Sequence, residues 1–269
     1  GLAAVYNVPL GAALFVLEVL LGTFAWPAAA VALVTCCIGA VIAWIGLGNE
    51  IQYAVPPMTA GASLIVWAAV AGPLFGIAAQ GFVQLTSAAR RQAARGWRLP
   101  VAAFVNFTLI GVLAIFLPAL LGNGKGPAQL GFSSELTLGM AALLLVLKVA
   151  ITSGSLRAGA SGGLLTPGIA IGALLAVVLG AAWNLIWPNA PPGAYAVVGA
   201  AAFLAASMRM PLTAIVLILE FTRVDQAFLV PIILAVGGSV ATQRWCAARA
   251  APPPDLSLIH ISEPTRPER

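Results

Sequence analysis

The chain has 269 residues, 61% of them hydrophobic and 8% charged, with a formal net charge of +5, whereas a soluble domain has about a quarter of its residues charged. No Asp, Glu, Lys or Arg occurs between Glu18 and Glu50, Glu50 and Arg90, Arg98 and Lys125, or Arg157 and Arg209, and each gap exceeds the ~20 apolar residues that cross a bilayer core. A soluble globular protein is thereby excluded, and lipid is the expected solvent.

Read in chain order, the apolar runs predict membrane helices over Leu10 to Leu21, Ala28 to Leu47, Met58 to Leu85, Leu99 to Leu121 and Leu136 to Ser153. Further helices are expected over Leu165 to Trp187, Tyr195 to Ala206, Leu212 to Phe221 and Phe228 to Thr242. The first of these, and the pair from Tyr195 to Phe221, are too short to cross upright. Short or Gly/Pro-broken helices survive in a bilayer only where protein or a water-filled cavity covers the freed backbone. That pattern predicts an all-α, polytopic channel or transporter with re-entrant helices, not a simple anchor. Between the helices, Arg90, Arg91, Arg95 and Arg98 crowd into one polar stretch, Thr86 to Arg98. A basic face for nucleic acid is not formed. The stretch is expected to be a loop, and the bias of Lys and Arg to the inner side puts loop 86–98 and the C-terminal end, from Arg244, on the cytoplasmic side of the cell membrane.

The chain also repeats itself. At an offset of 202 residues, Leu2-Ala3-Ala4 matches Leu204-Ala205-Ala206, Pro9-Leu10 matches Pro211-Leu212, Ala12 matches Ala214, and Leu17-Glu18 matches Leu219-Glu220. One such pattern is an ordinary helix start with Pro in the first turn. Two, each with a glutamate at the same place in an apolar helix, predict duplicated halves, expected to be inverted, with a substrate site between them.

The stretch most informative about chemistry is Gly159-Ala160-Ser161-Gly162-Gly163-Leu164-Leu165-Thr166-Pro167-Gly168. A Gly/Ser run opens into a long apolar helix, with Pro167 in the first turn, where a missing N–H is harmless. The first amides of that helix have no intrahelical partner and lie at the positive end of the dipole. They form a neutral anion site, from which chloride could leave as readily as it enters. A plain Gly-rich turn is the reading that spacing alone leaves equally open.

These residues carry a family resemblance. Gly163-Leu164-Leu165-Thr166-Pro167 resembles the G-x-F-x-P chloride-site motif of the CLC family of chloride channels and chloride/proton antiporters, with Leu165 in place of Phe. Ala205-Ala206-Ser207-Met208-Arg209-Met210-Pro211-Leu212-Thr213-Ala214, running on to Leu219-Glu220-Phe221-Thr222, is similar to that family's A-A-S-x-R-x-P-L-T-x helix. Leu2-Ala3-Ala4 through Asn7 and Pro9-Leu10 to Glu18 resembles the helix after its gating motif. The resemblance runs from Gly1 to about Arg244. It implies a CLC-type fold, a homodimer with one anion pathway per subunit, chloride or another small anion as substrate, and no cofactor. It also implies Gly163, Leu164 and Leu165 as backbone donors to the anion, with Ser161, Gly162 and Pro167 supporting the motif. The family's gating G-K/R-E-G-P segment, its serine loop and its pore tyrosine are not found, so residues 1–245 are read as a partial transmembrane domain of a fragment.

Glu18 and Glu220 are the two acids expected inside the membrane, and an ionisable group there is a functional candidate. The alternative is structural: a carboxylate accepting backbone amides, or pairing with a residue such as Arg209. Many CLC antiporters carry a proton-passing glutamate just after the position of Glu18; here it is Val19, which points to passive chloride conduction, with proton exchange as the alternative. An intramembrane enzyme, the remote alternative, needs an acid–base, nucleophile–base or metal constellation. Glu18 and Glu220 stand on separate helices, and Cys36, Cys37 and Cys246 lack metal-ligand spacing, so no enzyme is expected. Gly124-Lys125-Gly126-Pro127 lacks the Ser or Thr of a phosphate loop and is read as a turn. Residues 246–269 are read as a non-native tail, in which Leu256 to Arg266 resembles the translation of a sequencing-library adapter. His260, the only histidine, is discounted with it.

Overall fold

A computed structural model describes residues 1–188 and 190–250. The described residues are helical, without strands. Eleven α-helices follow one another among them: α1 (Leu2–Tyr6), α2 (Pro9–Phe15), α3 (Trp26–Leu47), α4 (Ala62–Arg91), α5 (Arg98–Phe116), α6 (Lys125–Phe132), α7 (Leu138–Arg157), α8 (Leu165–Trp183), α9 (Pro192–Met208), α10 (Pro211–Thr222) and α11 (Leu229–Ala250). Helix α2 continues as a π-helical turn, Val16–Leu21. Six helical segments are long and apolar enough to cross a membrane, while Pro9–Leu21, Pro192–Met208 and Pro211–Thr222 are apolar but shorter.

Two expectations need correction. Helix α4 runs on to Arg91, so only part of the polar stretch 86–98 is loop; Arg90 and Arg91 sit in its last turn, where cations complement the helix dipole. Lys125–Phe132 is a helix, not a turn: Gly124, at φ 117°, supplies the left-handed entry that only glycine takes easily, and Lys125 opens α6. The expected tail begins at 246, inside α11; residues 251–269, with the adapter-like segment and His260, lie outside the described residues.

Helix α9 forms the centre of the fold. Every residue from Gly193 to Ala206 is buried, and α4, α8, α10 and α11 pack around it. With no charge to spread and much Ala and Gly, α9 lets neighbouring backbones approach closely, which is how helices associate in lipid, where the hydrophobic effect is absent. A Cβ added at Gly172 in α8 would stand 2.7 Å from Gly199 O in α9, and one at Gly199 would run into Ala176. By contrast, α3 and α5 expose nearly all their apolar side chains, as helices facing lipid or another subunit do.

The α8–α9 contact gives the first prediction. Gly199→Val should destabilise the fold by about 1–3 kcal/mol through overpacking. Gly111→Val on α5, where a Cβ meets nothing within 4 Å, should leave stability close to wild type. Thermal unfolding in detergent checks both, and equal melting temperatures for the two variants would contradict the packing.

Candidate anion site at a helix N-terminus

Helix α7 ends in a tight exit: the amides of Ala158, Gly159 and Ala160 donate to Gly154, Leu156 and Ser155 carbonyls at 2.8, 3.1 and 3.0 Å. Gly159, at φ 92°, turns the chain into the loop that precedes α8. Arg90 steadies this loop by donating from Nη2 to Gly162 O at 3.1 Å. Leu164 is the N-cap of α8 and offers no side-chain acceptor; the first ladder bond runs from Gly168 N to Leu164 O, 2.9 Å. Among the described residues, no group accepts from the amides of Gly163, Leu164 or Leu165. Ser161, Gly162 and Gly163 are exposed, and a Cβ built on either glycine meets nothing within 4 Å. The helix therefore starts, beside an exposed Gly/Ser loop, with donors that have no acceptor among the described residues, where its dipole is positive.

Beside the loop is a cavity of about 150 Å³, bordered by Ser161, Gly162, Gly163, Leu164 and Pro167 together with Gly122, Asn123 and Lys148. Lys148, on α7, is only 2% exposed, and its Nζ donates to Gly122 O at 3.1 Å. The Gly122–Gly124 turn wedges between Lys148 and the first turn of α8: a Cβ on Gly124 would lie 3.1 Å from Lys148 Cε and 3.2 Å from Thr166 O. Asn123 Oδ1 accepts from Lys125 N at 3.2 Å, while its Nδ2 reaches Thr166 Oγ1 at 3.5 Å. In the sequence, Gly124 is read as part of a turn, but no role falls to Lys148, Gly122 or Asn123. The available signal was a lone lysine within an apolar helix, since an intramembrane cation is a functional candidate on sight.

Glu18 and Glu220 lie away from this cavity and face each other's repeat. Glu18 takes the Leu212 and Thr213 amides, at 3.2 and 2.7 Å, and Glu220 takes those of Leu10 and Gly11, at 3.0 and 2.6 Å. Each carboxylate thus caps the first turn of the other copy's helix, α10 or α2, whose Pro and apolar N-cap supply no acceptor of their own. Backbone amides, not the Arg209 guanidinium, are the partners. The local geometry repeats as closely: Asn7 and Arg209 are both left-handed, at φ 57° and 56°, and Val8 and Met210 share φ −133° and −132°. Val19 follows Glu18 in the π-helical turn with 38% of its surface exposed.

Short, broken and reciprocally capped apolar helices beside longer membrane-length ones define a polytopic membrane protein. Residues 1–244 match the family model described as voltage gated chloride channel, and the chain belongs to that family. The chain is 30% identical over 256 residues to the H(+)/Cl(-) exchange transporter ClcA of Cronobacter sakazakii, covering 90% of this chain and 54% of that protein. It is 32% identical over 241 residues to the putative chloride channel protein ClcB-like of Ralstonia nicotianae, covering 87% and 56%. The chain thus spans about half the length of these curated relatives. Among solved structures, a slow cyanobacterial Cl-/H+ antiporter superposes with a TM-score of 0.83 at 20% identity, over 91% of this chain and 59% of that one. A CLC-type fluoride/proton antiporter gives 0.72 at 22% identity, over 90% and 60%. These two likenesses establish the fold.

The reciprocal caps generate the second prediction. Glu220→Ala strands the Leu10 and Gly11 amides in an apolar setting and should lower stability by about 1–3 kcal/mol; Glu18→Ala should do the same for Leu212 and Thr213. Glu→Gln, which keeps a neutral acceptor, should lose less. Thermal unfolding in detergent reads the series, and unchanged stability in the alanine variants would contradict capping.

Proposed function

We propose that the protein to which this chain belongs moves chloride across the membrane through the start of α8, in exchange for protons. The observation that supports it is the contrast among three helix starts. At α2 and α10 a carboxylate satisfies the first amides; at α8 the amides of Gly163, Leu164 and Leu165 have no acceptor among the described residues. An anion from solution is the acceptor such a site lacks. Held by partial charges, it can leave as well as bind.

Proton exchange is favoured over simple conduction by the relatives: one is named an exchange transporter, and two neighbours in fold are described as proton antiporters. Passive conduction is the second reading, and it rests on Val19. That residue cannot hold a proton, and both oxygens of Glu18 before it are engaged, so exchange needs another internal proton route. In either case chloride is the substrate, and no cofactor enters. The expected assembly is a homodimer in the cell membrane, with the Arg90–Arg98 stretch and the α11 end on the cytoplasmic side.

The test is flux from liposomes holding the complete protein, with chloride efflux and external pH recorded together under a chloride gradient. Exchange predicts proton movement in fixed proportion to chloride; chloride movement alone would make the protein a channel, and no chloride movement would overturn the reading. Gly163→Leu should fold normally, since a Cβ there meets nothing within 4 Å, yet lose most of its flux because the side chain covers the donor amides. Full flux in that variant would remove the α8 loop from the pathway.

A further inference from the structure

Lys148 is a buried lysine with no carboxylate partner among the described residues. It is only 2% exposed, and Gly122 O, a neutral carbonyl, engages one of its three donors. No carboxylate borders its cavity among the described residues: the polar groups there are Asn123, Thr152, Ser155 and Ser161. A buried charge without a counter-charge is costly and persists only where something balances it. Gly163 and Leu164, at the positive end of α8, line the same cavity. Two sources of positive potential thus border one cavity of about 150 Å³ with no negative group among its described lining residues.

We propose that Lys148 is the fixed counter-charge of the anion pathway, raising anion occupancy beside the α8 N-terminus and tying it to the Gly122–Gly124 turn. The inference rests on the α8 reading and adds a full charge to a site otherwise made of dipoles. Because Lys148 Nζ is tethered to Gly122 O, and Asn123 reaches Thr166 in the first turn of α8, the ammonium is held in place behind the anion and is not free to follow it. It therefore attracts the anion from a fixed distance without enclosing it, which keeps binding reversible. Lys148 acts here as a positioning residue.

The test uses the complete protein in detergent, with chloride titrated calorimetrically into a chloride-free buffer, and in liposomes for flux. Lys148→Met keeps length but removes charge, and should weaken chloride binding about tenfold or more; Lys148→Arg, whose charge cannot be lost, should restore most of it. Asn123→Asp leaves Lys148 in place and preserves the acceptor for Lys125 N. By adding a carboxylate to the cavity lining that Lys148 shares, it should weaken chloride binding too, which keeps the test intact if Lys148→Met fails to fold. Chloride affinity within about twofold of wild type in Lys148→Met or in Asn123→Asp would overturn the proposal and leave Lys148 as a strut, while the α8 site would stand. A wild-type protein that neither binds nor moves chloride would instead sink the α8 reading itself.

Discussion

A helix that begins inside apolar surroundings leaves its first amides without acceptors, and no water is at hand to take them. Much of this structure answers that constraint. Helices α2 and α10 start with Pro in the first turn after an apolar N-cap, so neither can cap itself. Each receives a carboxylate from the other repeat, Glu220 for α2 and Glu18 for α10. The exchange is self-complementary, as in an isologous interface: residue i of one copy meets residue j of the other, and the reverse. It fastens together segments about two hundred residues apart and explains why each copy keeps a glutamate in an otherwise apolar helix. Helix α8 also starts without an acceptor among the described residues, but beside an exposed Gly/Ser loop and without a carboxylate. Its free amides, open glycines and neighbouring lysine are what makes it the candidate anion site.

Much of this was legible in the sequence, because lipid imposes simple rules. Long gaps between charges marked the membrane helices, and their order agrees with the structure to within a few residues for most. The family resemblance and the repeat were readable because whole motifs recur at one offset. Glu18 and Glu220 were left between coupling and structural roles, with amides or Arg209 as partners. Only the three-dimensional arrangement supplies Leu10, Gly11, Leu212 and Thr213, since an acceptor on one repeat and donors on the other leave no local periodicity to read.

What stayed hidden has the same cause. Lys148 stands alone between Glu135 and Arg157 in the sequence, with nothing local to say that it is almost fully buried. The Gly122–Gly124 turn looked like a connection, and local chemistry made that reasonable: glycines at positive φ are turn residues. Its role comes from what it touches, the first turn of α8 and the Lys148 stem, and neither contact is encoded within the turn. Lys125 and Pro127 were taken into the same turn because Gly, Lys and Pro are poor evidence for a helix, but Pro within the first turn is compatible with one, and α6 forms.

The central claim is that an anion sits on the open amides of α8. Bromide soaked or exchanged into crystals of the complete protein tests this directly, because its anomalous signal locates the ion without reference to function. The account predicts a bromide peak beside the Gly163, Leu164 and Leu165 amides, on the side of the cavity shared with Lys148. Bromide found elsewhere in the protein, with that position empty at saturating concentration, would contradict it.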